Sequence, residues 1–94
     1  MPNNNTLSDR QTVNTHPTIL RLPAVLKRRG RSRSSHYADI KAGLFVKPVL
    51  IGLRAIGTPD NEVDALNAAR IAGKSDDEVR ALVVKLEAAR KNAA

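Results

Sequence analysis

The chain has 94 residues, 41% of them hydrophobic but only Tyr37 and Phe45 aromatic, and its 16 Lys+Arg against 9 Asp+Glu give a net charge of +7. A chain this short buries only about 60–65% of the surface its unfolded form exposes, which excludes an enzyme built around a deep enclosed cavity. There is no cysteine, and His16 and His36 lie twenty residues apart without acidic companions at ligand spacing, so no disulfide, thiol nucleophile, metal centre or cofactor is expected.

No apolar run approaches the roughly 18–20 residues that cross a bilayer. The start, Met1-Pro2-Asn3-Asn4-Asn5, lacks the charged-then-apolar pattern of a signal peptide, so a cytoplasmic location without membrane partners is expected. The charge is unevenly placed. Residues 1–20 are neutral, residues 55–94 hold six basic and seven acidic side chains, and residues 21–54 hold nine basic ones against the single acid Asp39. An excess confined to one window is the footprint of a polyanion partner rather than of a generally solvated surface.

In chain order, residues 1–18 are rich in Asn, Thr and Ser without apolar periodicity, and a disordered tail is expected. Ile19-Leu20-Arg21-Leu22 alternates and leads into a short helix from Pro23 to Arg29, stopped by Gly30. Ser32 is placed as N-cap of a second helix, Arg33 to Ala42, which Gly43 ends. On it His36 and Ile40 share the inward face, Ser35, Ala38 and Ala42 lie opposite, and Ser34, Tyr37 and Lys41 cluster between. Two short helices about a glycine-containing turn make a helix-turn-helix pattern.

The period then becomes extended through Phe45 to Ile51, with Gly52 at a reversal and a second strand reaching Gly57. Pro48 assigns the first of these to a sheet edge. The hairpin carries Lys47 and Arg54, as the wing of a winged helix-turn-helix would. Thr58-Pro59 reads as cap and first position of a third helix to about Ala72, with Val63, Leu66 and Ile71 near one face. Ser75-Asp76-Asp77-Glu78 is a capping box opening a fourth helix to about Lys91. That helix has a wide apolar stripe (Val79, Leu82, Val83, Leu86, Ala89) assigned to the core and a narrow one (Ala81, Val84, Ala88) left for self-association. The expected organisation is therefore a tail at 1–18, a DNA-binding domain at 19–73 and a helical extension at 74–94.

From Ile19 to about Ile71, the ordered run Leu20-Arg21-Leu22-Pro23, Ser32-Arg33-Ser34-Ser35, Lys47-Pro48-Val49, Gly52-x-Arg54 and Glu62-Val63 resembles the AlpA family of phage and prophage regulators. The resemblance implies a mainly α MerR-like winged helix-turn-helix, close in fold to phage excisionases. It implies that Ser32 to Lys41 is the recognition helix, with Arg33, Ser34, Ser35 and Tyr37 near DNA and Arg54 at the wing.

Arg28, Arg29, Arg31 and Arg33 surround the joint between the first two helices, and with Lys41, Lys47 and Arg54 they complete the expected DNA-binding set. Ser34 and Ser35 either meet bases or cap the first turn; Tyr37 either bonds a phosphate or buries its ring. A Ser34-Ser35-His36 hydrolase is rejected, because adjacent helical residues do not face each other and no carboxylate orients the imidazole. The expected function is sequence-specific binding of double-stranded DNA for a mobile element, without catalysis. The protein would act as a transcriptional regulator, or as an excisionase-like recombination directionality factor that self-associates on attachment-site DNA and bends it for a tyrosine-type integrase. A basic RNA-binding or ribosome-associated protein is the alternative.

Overall fold

Leu22, Val25 and Leu26 recur at helical spacing beside Lys27, Arg28 and Arg29, and this amphipathic turn forms α1 (Leu22–Arg29), with Pro23 in its first turn where no backbone donor is needed. Gly30 closes it at φ 69° and donates its N–H to the Leu26 carbonyl at 2.9 Å. A side chain would be strained at that φ. Ser32 then caps α2 (Arg33–Lys41), its hydroxyl accepting from the Ser35 N–H at 3.2 Å. The computed structural model describes residues 17–92, so the tail expected at 1–18 lies outside the described residues but for Pro17 and Thr18. Thr18 is held in place: its N–H donates to Asp60 Oδ1 at 3.0 Å and its carbonyl accepts from the Asp60 N–H at 2.8 Å.

Three short strands form one antiparallel sheet in the order β1-β3-β2. β1 is Ile19–Leu20, β2 is Val49–Leu50 and β3 is Ile56–Pro59, with Ile19 opposite Pro59 and Val49 opposite Gly57. The expected wing is present, but its first strand is two residues long and its turn spans 51–55. Phe45 and Val46 are both buried, and two consecutive inward side chains cannot belong to an alternating strand. Gly57 is required for space: a Cβ there would collide with the Ile19 side chain and come within 2.9 Å of the Leu20 carbonyl. Thr58 is a strand residue rather than a helix cap, because β1 pairs with β3 through Pro59. α3 (Asp60–Ile71) therefore starts one residue later than the Thr-Pro pattern predicts.

Ser75 and Glu78 form the expected reciprocal capping box at the start of α4 (Asp76–Ala89), which a 3₁₀ turn at Arg90–Asn92 extends. Val79 and Val83 of α4 join Val25, Phe45, Val46, Val63, Leu66 and Ala69 in a single core, with Leu82 and Leu86 packed against it. Ala89 is exposed, since its position runs past the end of that core. Ile71 is also exposed: at 100° per residue it lies well away from the face of Val63 and Leu66, where Ala69 and Glu62 stand instead. Among the described residues no helix is long and apolar enough to cross a membrane.

Candidate nucleic-acid interface

The joint between α1 and α2 is built around a carboxylate. Asp39 is on the inner face of α2, one turn from His36, and both are buried. Arg29 Nη2 donates to Asp39 Oδ2 at 2.8 Å, while Arg31 donates from Nε to the same oxygen at 3.0 Å and from Nη2 to Oδ1 at 2.9 Å. Arg29 also places Nη1 2.8 Å from His36 Nδ1 and its guanidinium carbon 3.9 Å from the centre of the Phe45 ring. His36 meets Phe45 edge-on at 5.1 Å.

These contacts set the protonation states. Burial drives the His36 pKa down and the Arg29 charge drives it further, so the ring is neutral and Nδ1 accepts from Arg29. Burial alone would raise Asp39, but the bonds from Arg31 and Arg29 outweigh it and hold the carboxyl below its ordinary value. Burial lowers the Arg29 pKa from the usual arginine range, with Asp39 opposing that shift.

The arginine cluster at the joint therefore has a compensating acid that the charge count alone leaves unassigned. The Arg29 side chain is only 8% exposed, its two terminal nitrogens held by His36 and Asp39, so of the four arginines about the joint it offers the least surface to a partner. Arg31 shares the carboxylate yet keeps 44% of its side chain exposed. Arg28 makes an exposed pair with Asp64 of α3 at 3.3 Å, and its carbonyl accepts from Asn67 Nδ2 at 3.1 Å.

With His36, Asp39 and Ile40 turned inward, α2 presents Arg33, Ser34, Tyr37, Ala38 and Lys41 outward. Ser35 is half-buried, its N–H spent on the Ser32 cap. Tyr37 is 45% exposed and edges a cleft that Ile40, Pro48 and Ile56 also line, so the outward face of α2 runs on to the wing. Lys47 and Arg54 are exposed on that hairpin. Arg33, Lys41, Lys47 and Arg54 make no ion pair among the described residues.

The root of the wing is clamped to α4. The Lys47 N–H donates to Glu87 Oε2 at 2.8 Å, and the Lys47 carbonyl accepts from Arg90 Nη2 at 2.7 Å. The same guanidinium grips the buried Glu62 carboxylate at 2.6 Å through Nη2 and at 2.9 Å through Nε, and that bond holds the Arg90 pKa above its usual value. Glu62 belongs to the run that carries the family resemblance, but neither its burial nor its pairing with Arg90, which lies at a helix end, is legible in the sequence. On α4 itself, Ala81, Val84 and Ala88 are all exposed.

Among the described residues no three His, Asp or Glu side chains converge as a metal-binding group. Residues 18–71, more than half of the chain, match the family model described as prophage CP4-57 regulatory protein (AlpA). No curated protein and no solved structure matches the chain. The match runs through the helix-turn-helix, the wing and α3, the same elements that assemble the cationic face, and the chain belongs to the AlpA family of prophage regulatory proteins.

Proposed function

We propose that the protein binds double-stranded DNA sequence-specifically, with α2 in the major groove and the wing on the adjacent backbone, and acts by binding rather than by catalysis. One observation carries the reading: the outward face of α2 bears Arg33 and Lys41 around small polar side chains and no acid, at the width a major groove accepts. Arg33, Ser34 and Tyr37 are the base-reading candidates. Lys41, Lys47 and Arg54 supply phosphate contacts, joined by Arg28 and Arg31 with the part of their charge not spent on Asp64 and Asp39.

Two uses of this binding follow for a mobile element. As a transcriptional regulator the protein occupies a promoter; as a directionality factor it lines attachment-site DNA in several copies, bends it and favours excision by a tyrosine-type integrase. Bending a short site costs several kcal/mol, which requires more than one copy of so small a protein. Either use places it on the nucleoid.

The test is a nuclease footprint on DNA spanning an integrase gene and its attachment site, run with competitor duplex DNA and competitor structured RNA. Protection that duplex DNA competes away supports the reading, a tandem footprint assigns the directionality role and a single operator assigns the regulator. Preferential loss to RNA would transfer the cationic face to RNA binding.

A further inference from the structure

The wing tip is chemically unlike a loop that only touches phosphates. The Ile51 N–H donates to the Ala55 carbonyl at 2.8 Å, closing a tight turn that projects Gly52, Leu53 and Arg54. Leu53 is 97% exposed, and Leu50 and Ile51 on the strand side of the same turn are also exposed. Hairpin tips ordinarily carry Gly, Asn or Asp, and an aliphatic side chain held in water there contributes nothing to the core.

We propose that the tip is a wedge: Leu53 enters the minor groove and inserts between two base pairs, while Arg54 next to it holds the flanking backbone. The proposal rests on the duplex-DNA reading above and deepens it by naming the residue that kinks the helix. Three observations favour DNA over a protein partner. Residues 40–59 hold Lys41, Lys47 and Arg54 and no acid, which suits a polyanion. The base of the hairpin that carries the tip borders α2, Pro48 and Ile56 sharing a cleft with Tyr37 and Ile40. It also sets the most exposed aliphatic side chain of the hairpin, Leu53, directly beside a guanidinium, that of Arg54, the pairing used by minor-groove wedges.

The test uses the full chain on a duplex of about 30 base pairs selected by that chain from a random pool, with 2-aminopurine at successive steps to report unstacking and dyes at the ends to report bending. The wild type brightens one step and draws the ends together. Leu53→Ser melts at the wild-type temperature and binds within roughly tenfold of wild type with the same salt dependence, but neither unstacks nor bends the duplex; Leu53→Met restores both. A wild type that binds without brightening any step, or a Leu53→Ser protein that unstacks as well as wild type, overturns the wedge and leaves duplex binding standing. Unchanged bending with lost self-association in Leu53→Ser would make the tip a protein contact and overturn it too. Failure of the wild type to select any duplex overturns both readings.

Discussion

Arg29 and Arg33 stand four positions apart and carry the same group, yet one is enclosed by Asp39, His36 and Phe45 and the other faces water. Arg29→Ala strips the Asp39 carboxylate of one of its two cations and leaves His36 Nδ1 without its donor, so it should destabilise the fold by about 2–4 kcal/mol. Arg33→Ala breaks no internal contact and should leave the melting temperature unchanged while weakening specific DNA binding by about 1–3 kcal/mol. Thermal melts paired with anisotropy titrations on cognate and random duplexes separate the two, and a destabilised Arg33→Ala protein would refute the division. The same cluster predicts a pH response. The folded state holds His36 below its usual 6.5, so between the folded value and 6.5 the unfolded chain binds more protons. The His36 contribution is thus complete above 6.5 and lost as the pH falls below it. A second loss sets in below 3.8, the usual value for aspartate, because Asp39 is held beneath that in the fold. His36→Gln keeps an acceptor for Arg29 and removes the titrating group, so melts across the acid range should lose the first step and keep the second. Persistence of the first step in that variant would assign it elsewhere.

Among the elements, α4 does more than extend the domain: it fills the core with Val79 and Val83 and, with the turn beyond it, fixes the wing root through Glu87 and Arg90. Arg90→Ala would leave Glu62, 4% exposed, without its partner, at a cost of about 2–4 kcal/mol. Adding Glu62→Gln should recover part of that loss, since a buried amide is cheaper than an unpaired carboxylate. Denaturant melts of the two single variants and the double variant measure the coupling, and strict additivity would show that the pair does not stabilise the wing root. Local chemistry made much of this architecture legible. Ser32, Gly30 and the Ser75–Glu78 box announce helix ends because caps act within a few residues. Contacts distant in sequence are what local patterns miss. β1 holds Thr58 and Pro59 in a strand from about forty residues upstream, and Arg90 reaches Glu62 from twenty-eight residues downstream. Asp39 was visible as the one acid in a basic window, three residues from His36 and so on its face, but only the packing of α1 against α2 turns Arg29 toward it. The cationic outer face of α2 is legible because helical spacing fixes it, whereas the exposure of Leu53 depends on how tightly the turn closes.

At the scale of the whole molecule, folding turns a window of nine basic residues into a face. Arg29 is withdrawn into the core, Arg28 and Arg31 share their charge with Asp64 and Asp39, and the cations at 33, 41, 47 and 54 remain unpaired among the described residues. About four to six phosphate contacts give a slope of log K against log salt of roughly −4 to −5, and a flat response in an anisotropy titration would exclude this face as a backbone-binding surface. Against that face, the exposed row Ala81, Val84 and Ala88 on α4 bears on assembly. Val84 is 68% exposed, and small side chains in a row permit close helix approach while burying little area, so such a contact is weak in free solution and becomes effective when DNA holds neighbouring copies together. The expected state is a free monomer that fills adjacent DNA sites cooperatively. Val84→Glu puts a charge into the contact, and because Val84 is exposed and stands outside the core, the fold should be unaffected. Because Val84 shares a cleft with Lys41 and Lys47, the added charge also lowers single-site affinity, and Val84→Lys is needed beside it to change the sign of that effect. Gel-shift titrations on one-site and two-site duplexes then separate affinity from cooperativity: both variants should lose cooperativity, with single-site affinity falling in Glu and rising in Lys. Cooperativity equal to wild type in both would show that the row is only a solvated face and that neighbouring copies, if they touch, do so elsewhere.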